Sequence, residues 1–556
     1  MTGAGEPTES HFDVVVIGSG AGGGTLVHAL APTGARILLV ERGHMLPSEP
    51  ENWDPAAVWQ AKRYRPDERW LDRRGRPFLP FVHYVVGGNT KFWGSVLYRL
   101  RRDDFDAVEH VDGVSPAWPI DYDTLAPWYD AAERLYHVHG DVDGDPTEQD
   151  RPPYPYPAVP HEEPIAALVE QFREQGLNPT SLPLGVVSPG ESGGCQLCST
   201  CNSFPCRIRA KSDADTRCVE PALTWPNVTL WTGARALRLH TDSSGDRVVA
   251  VDVDRDGSRV RVSADTFVVG AGAVNSAALL LRSASDRHPD GLANSSGLVG
   301  RRYMAHLSTM LEAVHPFRVN PTVFQKTVAI NDFYRAGEGR PYPLGHLQSQ
   351  GRAHGPIVQA AVPVLPRKLC DAVVRRGVDW LAMSEDLPRE SNRVTVEADG
   401  RIRLHYRPNN LASHRRLVRE ARRMFRRAGY WPVVSWSFNV QNTTHQCGTL
   451  VFGTDPRTSV LDTWCRSHDV ENLFVVDASF FPSSAAVNPG LTIIAQALRV
   501  ADHVARHDLG QPLSRDTTGT AGSDATAGPA DDPADDPADD PAVDRAADPS
   551  LDPTPT

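Results

Sequence analysis

The chain has 556 residues, 40% hydrophobic and 23% charged, an ordinary composition for a folded protein of more than one domain. No apolar run reaches the roughly 18 residues of a membrane helix, and Met1 to His11 lacks the basic and apolar regions of a secretory signal, so no membrane span is expected and the cytoplasm is the expected compartment. The formal charge of −12 says little about partners: Gln511 to Thr556 holds eleven Asp and two Arg, a net of −9, leaving the rest near −3, which favours neither a nucleic-acid partner nor a cationic substrate.

Phe12 to Ile17 (FDVVVI) is a β-branched run ending at glycine and reads as a buried parallel strand. A helix is expected from Thr25 to Leu30, then a second buried strand from Ala35 to Val40, together one βαβ unit. Trp53 to Phe81, rich in Arg, Trp and Pro, has no clear period and reads as an extended surface excursion. Asp143 to Pro160 reads as loop and Pro164 to Gly176 as helix. Val228 to His240 and Arg247 to Val268 read as strands turning at Asp256-Gly257, and Ser276 to Ser283 as a helix. Arg393 to Tyr406 alternates around Asp399-Gly400, a hairpin signal, and Ser413 to Arg427 is a very basic helix expected to face solvent. Leu473 to Asp477 is a late buried strand, and the helix Leu491 to Val504 is expected to pack back on the sheet. Asp531 to Ala542, DDPADDPADDPA, has nothing sizeable to bury and repels itself; residues 1–11 and 511–556 are expected to be disordered.

Between the first strand and helix lies Gly18-Ser19-Gly20-Ala21-Gly22-Gly23, a G-x-G-x-x-G. The first glycine permits the tight turn, the second lets the backbone approach a pyrophosphate, and the third lets helix and strand pack closely. The phosphates then face the positive helix N-terminus. Glu41, 23 residues after Gly18, ends the next strand where a carboxylate can accept hydrogen bonds from a ribose. This is a dinucleotide site; the motif alone leaves NAD or FAD open.

Further motifs carry a family resemblance. Val86-Gly-Gly-Asn-Thr-Lys-Phe-Trp-Gly94, Gly270-Ala-Gly-Ala-Val-Asn-Ser276, and Ser296-Gly-Leu-Val-Gly-Arg301 with Met304 and His306 occur in that order. His445-Gln-Cys-Gly-Thr449 and Val476-Asp-Ala-Ser479 with Asn488-Pro489 follow. From about Phe12 to Val504 the sequence resembles the glucose–methanol–choline (GMC) oxidoreductases. The resemblance implies an α/β fold: a Rossmann-like, glutathione-reductase-type FAD domain plus a substrate domain with an antiparallel sheet backed by helices. By the same resemblance, residues 12–310 are mainly FAD domain with a cysteine-rich loop at 195–206, 311–439 the substrate domain, and 440–508 the return to the FAD domain with the catalytic residues. FAD contacts are implied for Gly18, Ser19, Gly20, Gly23, Glu41 and Arg42, for Gly87, Gly88, Asn89, Thr90, Trp93 and Gly94, and for Ala236, Ala271, Asp477, Ala478 and Pro489.

Removing a hydride from CH–OH leaves a cation unless the hydroxyl proton departs too, which calls for a contacting group with a pKa near neutrality. A histidine before a Gly-Thr turn is ordinarily a hydrogen-bonded structural residue; the resemblance instead puts the family's catalytic base at His445. Asn488 falls where the family has His or Asn, and its amide can hold the substrate oxygen without titrating. His306 reads as structural. The Asn-Pro pair places the chain nearest the pyranose-oxidase and aminoglycoside-biosynthesis alcohol oxidases, so the implied reaction is oxidation of a CH–OH of a sugar, glycoside or aminosugar to a carbonyl. The electron acceptor is O2, or a redox protein or quinone. Phe92 stands where pyranose oxidases attach flavin to a histidine, so FAD is expected to be non-covalent.

Cys195, Cys198, Cys201 and Cys206 form C-x2-C-x2-C-x4-C. Thiolates so crowded repel one another unless a cation holds them, which makes an iron–sulfur cluster the expected occupant. The competing reading is a cysteine-rich loop of free thiols or a structural bridge. Two rival functions follow: an FAD-containing non-redox lyase of the same family, and an electron carrier built on these cysteines.

Overall fold

β-Branched runs set the centre of the fold. In the computed structural model, which describes residues 11–513, His11–Ile17 pairs in parallel with Ile37–Val40 on one side and with Ser258–Val269 on the other. Val228–Trp231 and Leu473–Val475 extend the parallel set. Parallel strands are covered on both faces, and all four residues of Ile37–Val40 are buried, so these segments read as continuous apolar runs. Ser258–Val269 is long enough to split its partners. Its first half joins an antiparallel meander with Val248–Arg255 and Ala234–Thr241, turning at Asp256-Gly257, while its last residues pair with Leu473–Val475. The acidic tail from residue 514 and residues 1–10 lie outside the described residues; His11 itself starts a strand against Ser263.

The first helix spans Ala21–Leu30 and so begins inside the glycine motif rather than at Thr25. Missing side chains make this possible. A Cβ at Gly23 would overlap the Gly18 carbonyl, and one at Gly22 the Val476 carbonyl, so the helix lies directly on the strand ends. The helix Gly490–His507, expected to pack back on the sheet, packs instead beside this helix and against the helix Tyr122–Leu135.

The second sheet is antiparallel throughout, in the order Val433–Ser437, Leu307–Val314, Gly377–Ser384, His346–Ser349, Val328–Ile330, Pro179–Ser181. Its edge strand, Pro179–Ser181, comes from well upstream of the others. Side chains alternate between faces. Leu311, Leu347, Val378 and Trp380 pack against the helices Glu163–Arg173 and Leu411–Arg427, while Met310, Gln348, Asp379 and Leu381 line a cavity on the opposite face. On the basic helix Arg415, Arg419, Arg423, Arg426 and Arg427 are exposed, as its pattern predicts. The hairpin Arg393–Val396 with Ile402–His405 forms around Asp399-Gly400. It pairs with Trp70–Leu71, which forms its own short ladder with Pro77–Phe78, so the Trp53–Phe81 excursion is anchored rather than wholly extended.

Candidate active site

The glycine loop is tied to two other segments through one hydroxyl. Ser19 Oγ donates to Glu41 Oε2 at 2.6 Å and accepts from Gly87 N at 3.0 Å, while Ser19 N also donates to Glu41 Oε2 at 3.1 Å. Glu41 Oε1 accepts from Gly43 N at 2.8 Å. Burial raises the Glu41 pKa against these hydrogen bonds. Gly18, at φ +103, makes the turn and Gly87, at φ +85, begins the second segment. Gly20 is different: a Cβ there would meet nothing within 4 Å among the described residues, because its backbone faces open cavity.

Asp477 makes the matching tie at the other end. Its Oδ2 accepts from Gly272 N at 2.9 Å and from Ser276 Oγ, and its Oδ1 from Ser479 N at 2.9 Å. Trp93 Nε1 donates to Ser212 O at 3.0 Å, and Asn89 Oδ1 accepts from His83 N at 2.8 Å. The Arg42 guanidinium lies over the Tyr84 ring and pairs with Glu68 at 3.0 Å.

All these segments open on one cavity of about 810 Å³, near the top of the range of about 300–1,000 Å³ for small-molecule sites. Its walls include Gly18, Ser19, Gly20, Glu41 and Arg42, Gly88, Asn89, Thr90, Trp93 and Gly94, Ala236, Ala271, Asp477, Ala478 and Pro489, and His445 with Asn488. Gly23 and Gly87 stand behind this wall, in helix packing and in the turn. The helix Gly490–His507 begins at the wall, so its N-terminal N–H groups lie at the cavity. The glycine cradle, the buried acidic anchor at Glu41 and this helix end suit a long dinucleotide with its pyrophosphate at the glycine loop.

At the far end of the cavity His445 and His306 meet. Met304–Ala305 pairs antiparallel with Gln446–Cys447, so the next cross-strand neighbours are these two histidines. Their Nδ1 atoms lie 2.9 Å apart, and His306 Nε2 lies 2.9 Å from the Ser484 carbonyl. Burial, with His306 alongside, pushes the His445 pKa well below its ordinary value, so the ring is neutral at neutral pH. Asn488 Oδ1 is buried with no hydrogen-bond partner among the described residues.

The cavity wall also carries, just before the strand Val328–Ile330, a group the sequence reading missed. Lys326 Nζ is buried in the cavity wall without a hydrogen-bond partner among the described residues, and burial pushes its pKa down to about 8. Gly94 is what admits it: a Cβ there would overlap Lys326 Nζ and Asn202 Oδ1. The signal was present as a lone lysine inside the run Thr322 to Ile330.

The structure does not support the cysteine expectation. Among the described residues no three His, Cys, Asp or Glu side chains assemble as a metal-holding group, so Cys195, Cys198, Cys201 and Cys206 form no iron–sulfur ligand set. All four are free thiols and none lines the cavity. Cys206 Sγ accepts from Lys211 N at 3.4 Å, Cys198 Sγ sits 3.9 Å from Thr200 Oγ1, and burial holds the Cys195 thiol protonated, its pKa pushed up to about 12. The loop is instead keyed to the second glycine segment by buried Lys211, whose Nζ donates to the carbonyls of Lys91, Trp93, Cys201 and Phe204 at 2.7–3.3 Å. That clamp presents Asn202 and Ser203 to the cavity.

Fold and cavity thus define a dinucleotide-dependent enzyme whose reaction chamber lies between a parallel-stranded domain and an antiparallel sheet. The chain belongs to the GMC oxidoreductases, whose N- and C-terminal family models match residues 12–308 and 388–497. It is 34% identical over 527 residues to the paromamine 6'-oxidase of Streptomyces fradiae, covering 91% of this chain and 93% of that protein. It is 32% identical to the 6'''-hydroxyparomomycin C oxidase of Streptomyces lividus (89% and 92%), and 28% identical to the fructose dehydrogenase large subunit of Gluconobacter japonicus (88% and 97%). A crystal structure of the pyridoxine 4-oxidase from Mesorbium loti shares the fold, with TM-score 0.64, 22% identity and coverage of 89% and 99%. The protein is accordingly an FAD-dependent oxidoreductase acting on a CH–OH group. No helix among the described residues is long and apolar enough to cross a membrane.

Proposed function

We propose that the enzyme oxidises a hydroxyl carbon of a sugar or aminosugar, with His445 as general base and Asn488 holding the reacting oxygen. The observation that carries this reading is that one cavity is lined both by the neutral, buried His445 ring and by Asn488, whose amide oxygen has no partner among the described residues. A neutral imidazole takes the hydroxyl proton as the hydride leaves the carbon, and the amide fixes the oxygen without competing for that proton. Bound FAD supplies the hydride acceptor. Gln348, Gln350, Asp379, Asn202 and Lys326 offer many hydrogen-bonding groups in one wall, and Trp59, Phe81 and Trp436 add apolar faces, a mixture that suits a polyhydroxylated ring. The aminoglycoside oxidases among the relatives support the same substrate class.

The test is anaerobic addition of paromamine, fructose and 2-methyl-1,2-propanediol to the FAD-loaded protein. Bleaching of the flavin band by one of them supports the reading, and cleavage without bleaching would support the lyase alternative. Reoxidation of the bleached enzyme by O2, by a quinone or only by a dye then identifies the class of electron acceptor.

FAD is expected to be held without a covalent bond, because Phe92 carries no nucleophile. Acid-precipitated protein should leave its yellow colour in the supernatant. A yellow pellet would overturn this and direct attention to His83, whose ring stacks on Phe92 at 4.1 Å and lines the same cavity.

A further inference from the structure

We propose that His306 is a positioning residue that holds the hydrogen of His445 on Nδ1, leaving His445 Nε2 bare as the basic atom. The inference rests on the reading of His445 as the base and adds which nitrogen acts and what decides it. One partner in the contact has no choice of role. The Ser484 carbonyl can only accept, so His306 Nε2, 2.9 Å away, carries a hydrogen. His306 is 4% exposed and burial lowers its pKa, so the ring is neutral and its Nδ1 is a bare acceptor. The contact of 2.9 Å to His445 Nδ1 is then a hydrogen bond only if His445 donates. A neutral His445 with its hydrogen on Nδ1 has its lone pair on Nε2.

The arrangement is a chain of fixed direction: His445 Nδ1–H to His306 Nδ1, and His306 Nε2–H to Ser484 O. The rings meet edge to face, with centroids 5.0 Å apart and planes at 79°, so one edge of His445 is fully used by His306. Other ionisable groups near His306 are Glu385 and His346. Glu385 is engaged elsewhere, Oε1 by Ser115 Oγ at 2.6 Å and Ala485 N at 3.2 Å, and Oε2 by His110 at 3.0 Å. A histidine without such a partner is free to place its hydrogen on either nitrogen, and with it on Nε2 the basic atom would be withdrawn from the hydroxyl. The backbone supports the same geometry: His445 sits at φ +55, an uncommon conformation for a histidine, next to the two-residue ladder that brings His306 across from it.

The experiment compares His306→Leu, His306→Gln and His445→Ala. It uses stopped-flow anaerobic flavin reduction with whichever of the three alcohols named above bleaches the enzyme fastest. Leucine removes both ring nitrogens; glutamine keeps one donor for Ser484 and one acceptor for His445. The leucine variant is expected to lower the limiting reduction rate by about 10- to 100-fold, the scale known for losing the partner that orients a metal-bound histidine. Its half-saturating alcohol concentration and FAD content should be unchanged. Glutamine should restore most of the rate, which a purely space-filling role would not explain. A leucine variant at the wild-type rate, or a glutamine variant as slow as leucine with its FAD intact, would overturn the assignment. If leucine prevents FAD retention, His306→Met replaces it in the same comparison. His445→Ala separates the two claims. A wild-type rate there sinks the base itself, whereas a slow His445→Ala beside a fast His306→Leu sinks only the positioning role.

Discussion

His445→Ala is expected to slow flavin reduction by about 10²- to 10⁴-fold, the range for loss of a general base, while leaving FAD content close to wild type. The side chain contributes to the reaction end of the cavity and to none of the ties that hold the glycine loop, Glu41 or Asp477 in place. Alanine therefore removes the proton acceptor and leaves the dinucleotide cradle as it was. Asn488→Ala should do less to proton transfer and more to alcohol positioning, because its amide does not titrate. The pH dependence follows from the direction of the His445 shift. Burial lowers its pKa, so the ring stays unprotonated and competent below the ordinary histidine value. The reduction rate should be flat through neutrality and fall only in acid, well below pH 6.5, as the ring takes up a proton. An acid limb centred near 6.5 would mean an exposed ring, and a His445→Ala enzyme reducing its flavin at the wild-type rate would end the assignment.

Gly20→Ala and Gly22→Ala are expected to fail in opposite ways, although they lie two residues apart in one motif. At Gly20 the backbone is extended at φ −72, which alanine adopts freely, and a methyl group meets no other described atom within 4 Å. The apoprotein should fold as well as wild type. FAD occupancy should fall, since the methyl stands in the space through which the backbone approaches pyrophosphate. At Gly22 the methyl would overlap the Val476 carbonyl, and neither the methyl nor that backbone oxygen has a rotamer by which to move away. The helix must lift off the strand end, at a cost of at least the roughly 1–3 kcal/mol typical of overpacking. Thermal unfolding of the two apoproteins and the flavin-to-protein absorbance ratio after FAD loading separate the cases. A Gly20→Ala protein that keeps full FAD would place the pyrophosphate elsewhere, and a Gly22→Ala apoprotein as stable as wild type would contradict the helix–strand packing.

Much of the fold was legible because the signals were local. The hairpin at Asp399-Gly400, the turn at Asp256-Gly257 and the strand Leu473–Val475 each depend on side-chain period and turn residues within a dozen positions. The excursion Trp53–Phe81 was less so, since the short ladder of Trp70–Leu71 with Pro77–Phe78 is fixed in the fold by pairing with Ile402–His405, more than 300 residues away. The same limit explains the cysteines. Closeness along the chain made a ligand set look natural, but what thiols touch is decided by how the loop is pinned, and here four carbonyls converge on Lys211.

The sequence by itself determined the dinucleotide motif, the order of the family segments and the two candidates His445 and Asn488, because these are carried by residue identity at fixed spacing. Only the tertiary structure decided which groups share the chamber. His306, read as structural from the chain, lies 139 residues from His445 and meets it because two short strands pair antiparallel. Lys326, two residues before the strand Val328–Ile330, reaches the cavity where Gly94 has no side chain to stand in its way. Such contacts depend on strand register between distant segments, and no local pattern of side chains encodes that register.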